Sequence, residues 1–181
     1  MLHLKNITAG NPKTAEQYQL TKQYDVTWLF SEDGKNWYEE QKNFASDTIK
    51  MVYTGDGRVV WVGKDVTGIE PRNASVIEVP DITANRRITV PGYWFYRNDE
   101  FVFDYKLKAE DERDALLQQA SIMTSEWEKD LLLGLISDED REKLKAYRIY
   151  AKSLQAMDFS TVTDKASYNA IEWPVSPEAS S

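Results

Sequence analysis

The chain has 181 residues, 41% of them hydrophobic and none of them cysteine, so it can bury the core of one domain or two small ones but has no disulfides, thiolate nucleophiles or sulfur-ligated metals. Its formal net charge of -8 opposes binding to phosphate backbones, and its single histidine, His3, sits at a terminus expected to be mobile, which removes multi-histidine metal sites and the commonest general base. Starting MLHLKN, the chain shows neither a basic region followed by an apolar run nor a stretch long enough to span a bilayer; it reads as cytosolic when synthesised, with no nucleic acid partner and no membrane insertion.

In chain order, residues 11–24 are polar with weak periodicity and carry no assignment. Residues 25–30 read as a strand, followed by the turn-prone Ser31-Glu32-Asp33-Gly34 and then the aromatics Trp37 and Tyr38. Residues 49–54 and 58–63 are β-rich runs on either side of Gly55-Asp56-Gly57, whose glycines tolerate the positive φ of a tight hairpin. Residues 76–79 form another candidate strand, closed by Pro80. Residues 93–97 and 100–105 flank Asn98-Asp99 as a second hairpin.

Near Lys106 the pattern turns helical. After the acidic run at 110–112, Leu116, Ala120, Met123, Trp127 and Leu131 recur at helical spacing and predict a buried stripe. Gly134 can close that helix in the left-handed conformation, Ser137 can cap the next, and Asp138, Glu139 and Asp140 suit the positive end of its macrodipole. Leu144, Tyr147, Ala151 and Leu154 form the second stripe, with Glu142, Lys143, Lys145, Arg148 and Lys152 left to water. So short a link predicts an antiparallel hairpin, stripe to stripe. Past Met157 the chain reads as irregular, anchored by Ile171-Glu172-Trp173-Pro174 and frayed beyond Pro177. The fold class is therefore α+β, with a β-rich domain over 1–105 and a helical hairpin domain with an irregular tail over 106–181.

No G-x-S-x-G, P-loop, dinucleotide fingerprint or H-E-x-x-H occurs, so the sequence names no catalytic residue, cofactor site or metal site, and it reads as a non-enzyme. Arg86 and Arg87 are either guanidinium forks for a partner's carboxylates or an exposed basic pair. Six Trp, ten Tyr and six Phe include the consecutive Tyr93-Trp94-Phe95-Tyr96. In a strand, Tyr93 and Phe95 share one face and Trp94 and Tyr96 the other. Taking Tyr93 and Phe95 as the inward pair leaves Arg86, Arg87, Trp94 and Tyr96 as the candidate partner-binding set, rich in the residue types that concentrate binding energy.

Residues 2–44 (LKNITAGNPKTAEQYQLTKQYDVTWLFSEDGKNWYEEQKNF), VIEVPDITANRR at 76–87 followed by GYWFY, LLLGLISDEDREKLKAYRIYAKSLQAMD at 131–158, and IEWPVSP are similar, in order, to blocks of the tail fibre assembly proteins of tailed bacteriophages and prophages, particularly the phage Mu type. Departures from the family pattern are Tyr147 where members often have Trp, a longer link from Asp158 to IEWP, and residues 88–91. The resemblance implies a chaperone for the distal, C-terminal, receptor-binding region of a trimeric phage tail fibre. It would act in the host bacterial cytoplasm and, where retained, at the fibre tip of the virion; the candidate set Arg86, Arg87, Trp94 and Tyr96 would make the β-rich domain the fibre-binding part. A second reading, from another class, is a carbohydrate-binding adaptor at the fibre tip that recognises host-surface polysaccharide (lipopolysaccharide) by aromatic stacking.

Overall fold

Residues 49–52 carry side chains that are all buried, at both strand parities, which a β-strand can satisfy only if both faces of its sheet are covered. The computed structural model describes residues 1–180 and contains two compact units, Met1–Phe103 and Asp104–Ser181. The first holds β1 (His3–Gly10), α1 (Ala15–Tyr24), β2 (Trp28–Phe30), α2 (Trp37–Glu40), β3 (Ile49–Thr54), β4 (Val59–Gly63), β5 (Ala74–Val79), α3 (Thr83–Arg86), β6 (Trp94–Arg97) and β7 (Glu100–Phe103).

Five strands make one antiparallel sheet in the order β2-β1-β5-β3-β4, and β6 pairs with β7 in a separate hairpin. Val52 lies opposite Val76 on one face, where both pack with Leu4, Ile7, Leu29 and Trp37. Met51 lies opposite Ile77 on the other face, where Val59, Val79, Ile88 and Trp94 complete a second core. The β6–β7 hairpin is attached at the turn after β3. There Arg58 bridges to Phe95, the Tyr96 N–H donates to the Gly57 carbonyl at 2.7 Å, and a Cβ on Gly57 (φ +91) would lie 2.5 Å from the Tyr96 carbonyl oxygen. Glycine is required there on two grounds, conformation and close approach.

Several expectations need correcting in this unit. His3 is not at a mobile end. It lies in β1 opposite Ile77, half-buried, with Nε2 2.7 Å from the Tyr53 hydroxyl, and burial lowers its pKa from the ordinary value. The unassigned residues 11–24 include α1, capped by Thr14 and tied to β2 through the Trp28 indole N–H, which donates to Thr21 Oγ1 at 2.7 Å. Only the last three residues of the strand anticipated over 25–30 are extended.

Lys50 and Glu78, opposite one another on β3 and β5, are buried. The Glu78 carboxylate accepts from the Leu2 N–H at 2.9 Å, the Ala45 N–H at 2.6 Å and the Thr48 hydroxyl at 2.7 Å. The Lys50 ammonium donates to the Ala45 carbonyl, and to that of Thr48 at 3.3 Å. These two side chains thus fasten the start of β1 and the loop before β3 to the middle of the sheet.

The second unit holds α4 (Tyr105–Leu133), α5 (Asp138–Gln155) and α6 (Lys165–Asn169). Gly134 closes α4 at φ +71, and Ser137 accepts from the Asp140 N–H at 3.1 Å to open α5. The two helices pack together as a hairpin around Ala120, Tyr147, Tyr150 and Leu154. The first helix starts earlier than the acidic run suggested. Asp104 caps it, and Glu110 and Glu112 are accommodated inside it by Lys106 and Lys108 four residues before them, at 3.8 and 3.6 Å. Its expected stripe is only partly buried: Met123 is 40% and Leu131 46% exposed, and Trp127 is half-buried; on α5, Leu144, Tyr147 and Leu154 are buried as expected, and the buried Tyr150 takes the place given to Ala151. The stretch read as irregular contains α6, opened by an Asp164–Ser167 capping box, while Ile171 and Trp173 pack against Phe159 and Val162. Backbone over Pro177–Ser180 forms a 3-10 turn where fraying was expected, and Ser181 lies outside the described residues.

Glu78 generates a test. Burial raises its pKa, but the hydrogen bonds from Leu2, Thr48 and Ala45 outweigh that and hold it below the ordinary value near 4.5. A depressed folded-state pKa gives stability that is fully present above the unfolded value and lost as pH falls through the folded one. Glu78→Gln sets an amide donor against N–H donors and should destabilise the protein by about 1–3 kcal/mol at neutral pH in urea unfolding. The gap between variant and wild type should shrink as the pH is lowered below 4.5; a gap independent of pH would show that the carboxylate charge does not hold the sheet.

Candidate functional site

Between Pro80 and β6 the chain makes a single helical turn and then crosses to the second face of the sheet, and this crossing builds a cavity of about 340 Å³. Its apolar floor is formed by Ile77, Val79, Ile88, Trp94 and Phe101, and its rim carries Arg87, Asp99 and Glu100. The Asn98-Asp99 turn, with both residues at positive φ, sets the register that places Tyr96 opposite Phe101 and Trp94 opposite Phe103. These four aromatics therefore share one hairpin face, stacked in the pairs Trp94–Phe103 at 5.2 Å and Tyr96–Phe101 at 5.0 Å between ring centroids.

Of the four residues singled out from sequence, Arg87, Trp94 and Tyr96 line this cavity and Arg86 does not. The guanidinium of Arg86 is held by Asp81, Nε to Oδ1 2.6 Å, and Asp81 is shared with Lys64 at 2.7 Å. The hydrogen bonds from Arg86 and Lys64 bring the Asp81 carboxyl down to about 2. Arg87 is exposed, stacks over the Trp94 ring at 5.2 Å, and has no side-chain hydrogen bond or ion pair among the described residues.

The inward and outward assignments along β6 are reversed for Trp94, which is 9% exposed and packs into the core of the sheet's second face. Tyr96, half-buried beside it, touches His3 and Tyr53, and its hydroxyl donates to Asp99 at 3.1 Å; burial and then the Asp99 carboxylate push its pKa up to about 12. Phe95 is buried on the opposite face, beneath the guanidinium groups of Arg97 at 4.1 Å and Arg58 at 6.0 Å, and Tyr93 is half-buried. Both hairpin faces are covered, one by the sheet and one by arginines, so alternation alone could not say which was which. Sequence reasoning missed Ile88, Asp99, Glu100 and Phe101. The last was readable, since a turn at Asn98-Asp99 dictates the 96 to 101 pairing.

Chemically, the cavity presents an apolar floor with a cation and two carboxylates at separate points of its rim, which suits a peptide segment with one apolar and at least one acidic side chain. Among the described residues there is no group of three or more His, Asp or Glu placed to hold a metal ion, and no helix is long and apolar enough to cross a membrane.

The sequence matches a family model described as "Caudovirales tail fibre assembly protein, lambda gpK" over residues 39–178. It is 49% identical over 168 residues to "Tail fiber assembly protein U'" of Escherichia phage Mu, and 48% identical over 168 residues to the protein of that name in Escherichia phage P1, covering 90% of this chain and 95% of each relative. "Tail fiber assembly protein U" of Escherichia phage Mu is 41% identical over 184 residues, covering 98% of this chain and all of that protein.

Burial separates the two site residues that stack on each other. Trp94→Ala should cost about 3–5 kcal/mol of stability, as for other buried aromatic truncations, whereas Arg87→Ala should cost only about 0.5–1 kcal/mol for the lost cation–π contact. Thermal melting of both variants checks this; an unchanged melting temperature for Trp94→Ala would place the ring outside the core.

Proposed function

We propose, because the chain belongs to the Caudovirales tail fibre assembly family, that it promotes assembly of a phage tail fibre by binding the distal, C-terminal region of the fibre chains while they trimerise. The observation that carries this reading is a likeness to tail fibre assembly proteins that extends over nine-tenths or more of both sequences. We place the action in the cytoplasm of the host bacterium and the contact on the β-rich domain, 1–105, at the cavity rimmed by Arg87 and Tyr96.

The physical need is plain. Long β-rich trimers form slowly from non-local pairings, and until they close they expose apolar surface and unpaired strand edges. A protein that covers such surface needs only binding energy, so neither nucleotide nor catalytic group is called for. An apolar floor shields a fibre side chain, while Arg87, an exposed cation with no carboxylate of its own, gives the contact its register. Sugar stacking at a fibre tip has less support, since Trp94 lies under Arg87 and in the core rather than open as a platform.

Co-expression tests the proposal. The distal fibre region should yield little native trimer alone and markedly more with this chain, and Arg87→Glu, folded by its melting curve, should lower that yield. Equal trimer yields with and without the chain would remove the assembly role. Full activity of Arg87→Glu would instead move the contact elsewhere.

A further inference from the structure

The tip of the helical hairpin exposes a run of large apolar side chains. Leu132 is 87% exposed, Leu133 and Leu135 are each 71%, and Leu131 is 46%. Single exposed leucines are ordinary, but four within five residues at the end of a helical hairpin suit a surface that something covers.

The charges beside it indicate what. A groove along one side of the hairpin is lined by Glu128, Leu131 and Leu132 from α4 and by Leu144 and Arg148 from α5. On the α4 side of this groove the charged residue is Glu128, while Lys129 is engaged by Glu126 at 2.5 Å. On α5 beyond its first turn the exposed charges are mainly basic, Lys145, Arg148 and Lys152 among them. The side chains of Arg148 and Lys152 have no hydrogen bond or ion pair among the described residues.

Acid on one helix and base on the other, across an apolar seam, is self-complementary under a two-fold rotation. A partner of a single charge sign would be repelled by one helix or the other, whereas a second copy of the same face satisfies both. We infer that a second copy of this chain docks on the hairpin tip, α4 of one protomer against α5 of the other, with the leucines meeting in the middle and Glu128 facing Arg148 of the partner subunit. This inference stands apart from the fibre-binding reading, which concerns the other unit.

The test uses the purified full chain and sedimentation equilibrium in the micromolar range. Wild type should be a dimer. Leu132→Glu, Arg148→Glu and Glu128→Arg should each weaken self-association by on the order of thirtyfold, as loss of a central interface residue does, with melting curves unchanged because all three side chains are exposed. The double variant Glu128→Arg with Arg148→Glu, which restores the pair with its signs exchanged, should recover the dimer. A monomeric wild type overturns the inference, including one whose hairpin tip proves to bind only another protein. So does a dimer that persists in all three single variants, or a double variant that stays monomeric.

Discussion

Double-sided burial of the β5–β3 pair is the constraint from which the rest of the first unit follows. Side chains of both parities on β3 leave water, so each face needs its own cover. The first face is covered from sequence neighbours of β2 and β4, through Trp37 and Val66. The second is closed by the β6–β7 hairpin and by Ile88 after α3, with Trp94 as the buried side chain that the hairpin brings to that core. Once Trp94 is committed to the core, Tyr96 and Phe101 are drawn to the same face, and the space between them, Ile88 and the sheet becomes the cavity. The candidate site is thus a by-product of how the second face is closed. Its floor is core, and only its rim is free to vary with a partner.

What was legible in the sequence is what local chemistry decides. The Gly134 and Ser137 caps and the turns at Gly57 and Asn98-Asp99 each depend on residues a few positions apart, and each element appears where those signals place it. The misses have long-range causes. Strand β1 has a weak pattern, and its Asn6 takes a positive φ at a register shift; it is held extended by β2 on one side and β5 on the other, some seventy residues away. The side of β6 that faces inward is set by which surface needs covering, a property of β3 and β5 rather than of β6. Arg86 looked equivalent to Arg87 because nothing in the dipeptide tells which guanidinium Asp81 will take.

The acidic character of the chain also changes meaning once the partners are known. Carboxyl groups held below their ordinary range are largely turn and cap formers: Asp33 is brought down to about 2 by the Ser31 hydroxyl and by Lys35, Asp65 is lowered by Thr67, Asp158 by Ser160 and Asp164 by Ser167. Each bonds backbone or a hydroxyl a few residues away, as short polar side chains do where the chain changes direction. These low values report local folding rather than a poised acid or base, so a count of perturbed carboxylates would have pointed to catalysis for the wrong reason.

Against that background two exposed cations beside apolar surface stand out. Arg87 in the first unit and Arg148 in the second both lie beside apolar surface with no carboxylate of their own. In a protein of net charge -8, an exposed guanidinium left without a partner beside several available acids is a poor choice for stability alone, since a local pair would cost little to form. Each sits where an incoming acidic group would also bury leucine or tryptophan area, and that combination converts a weak surface charge into a directional anchor. The same design therefore appears twice, once on a floor of β-sheet core and once on a helical seam. In both cases the chain supplies the apolar surface and the cation and leaves the anion to whatever docks.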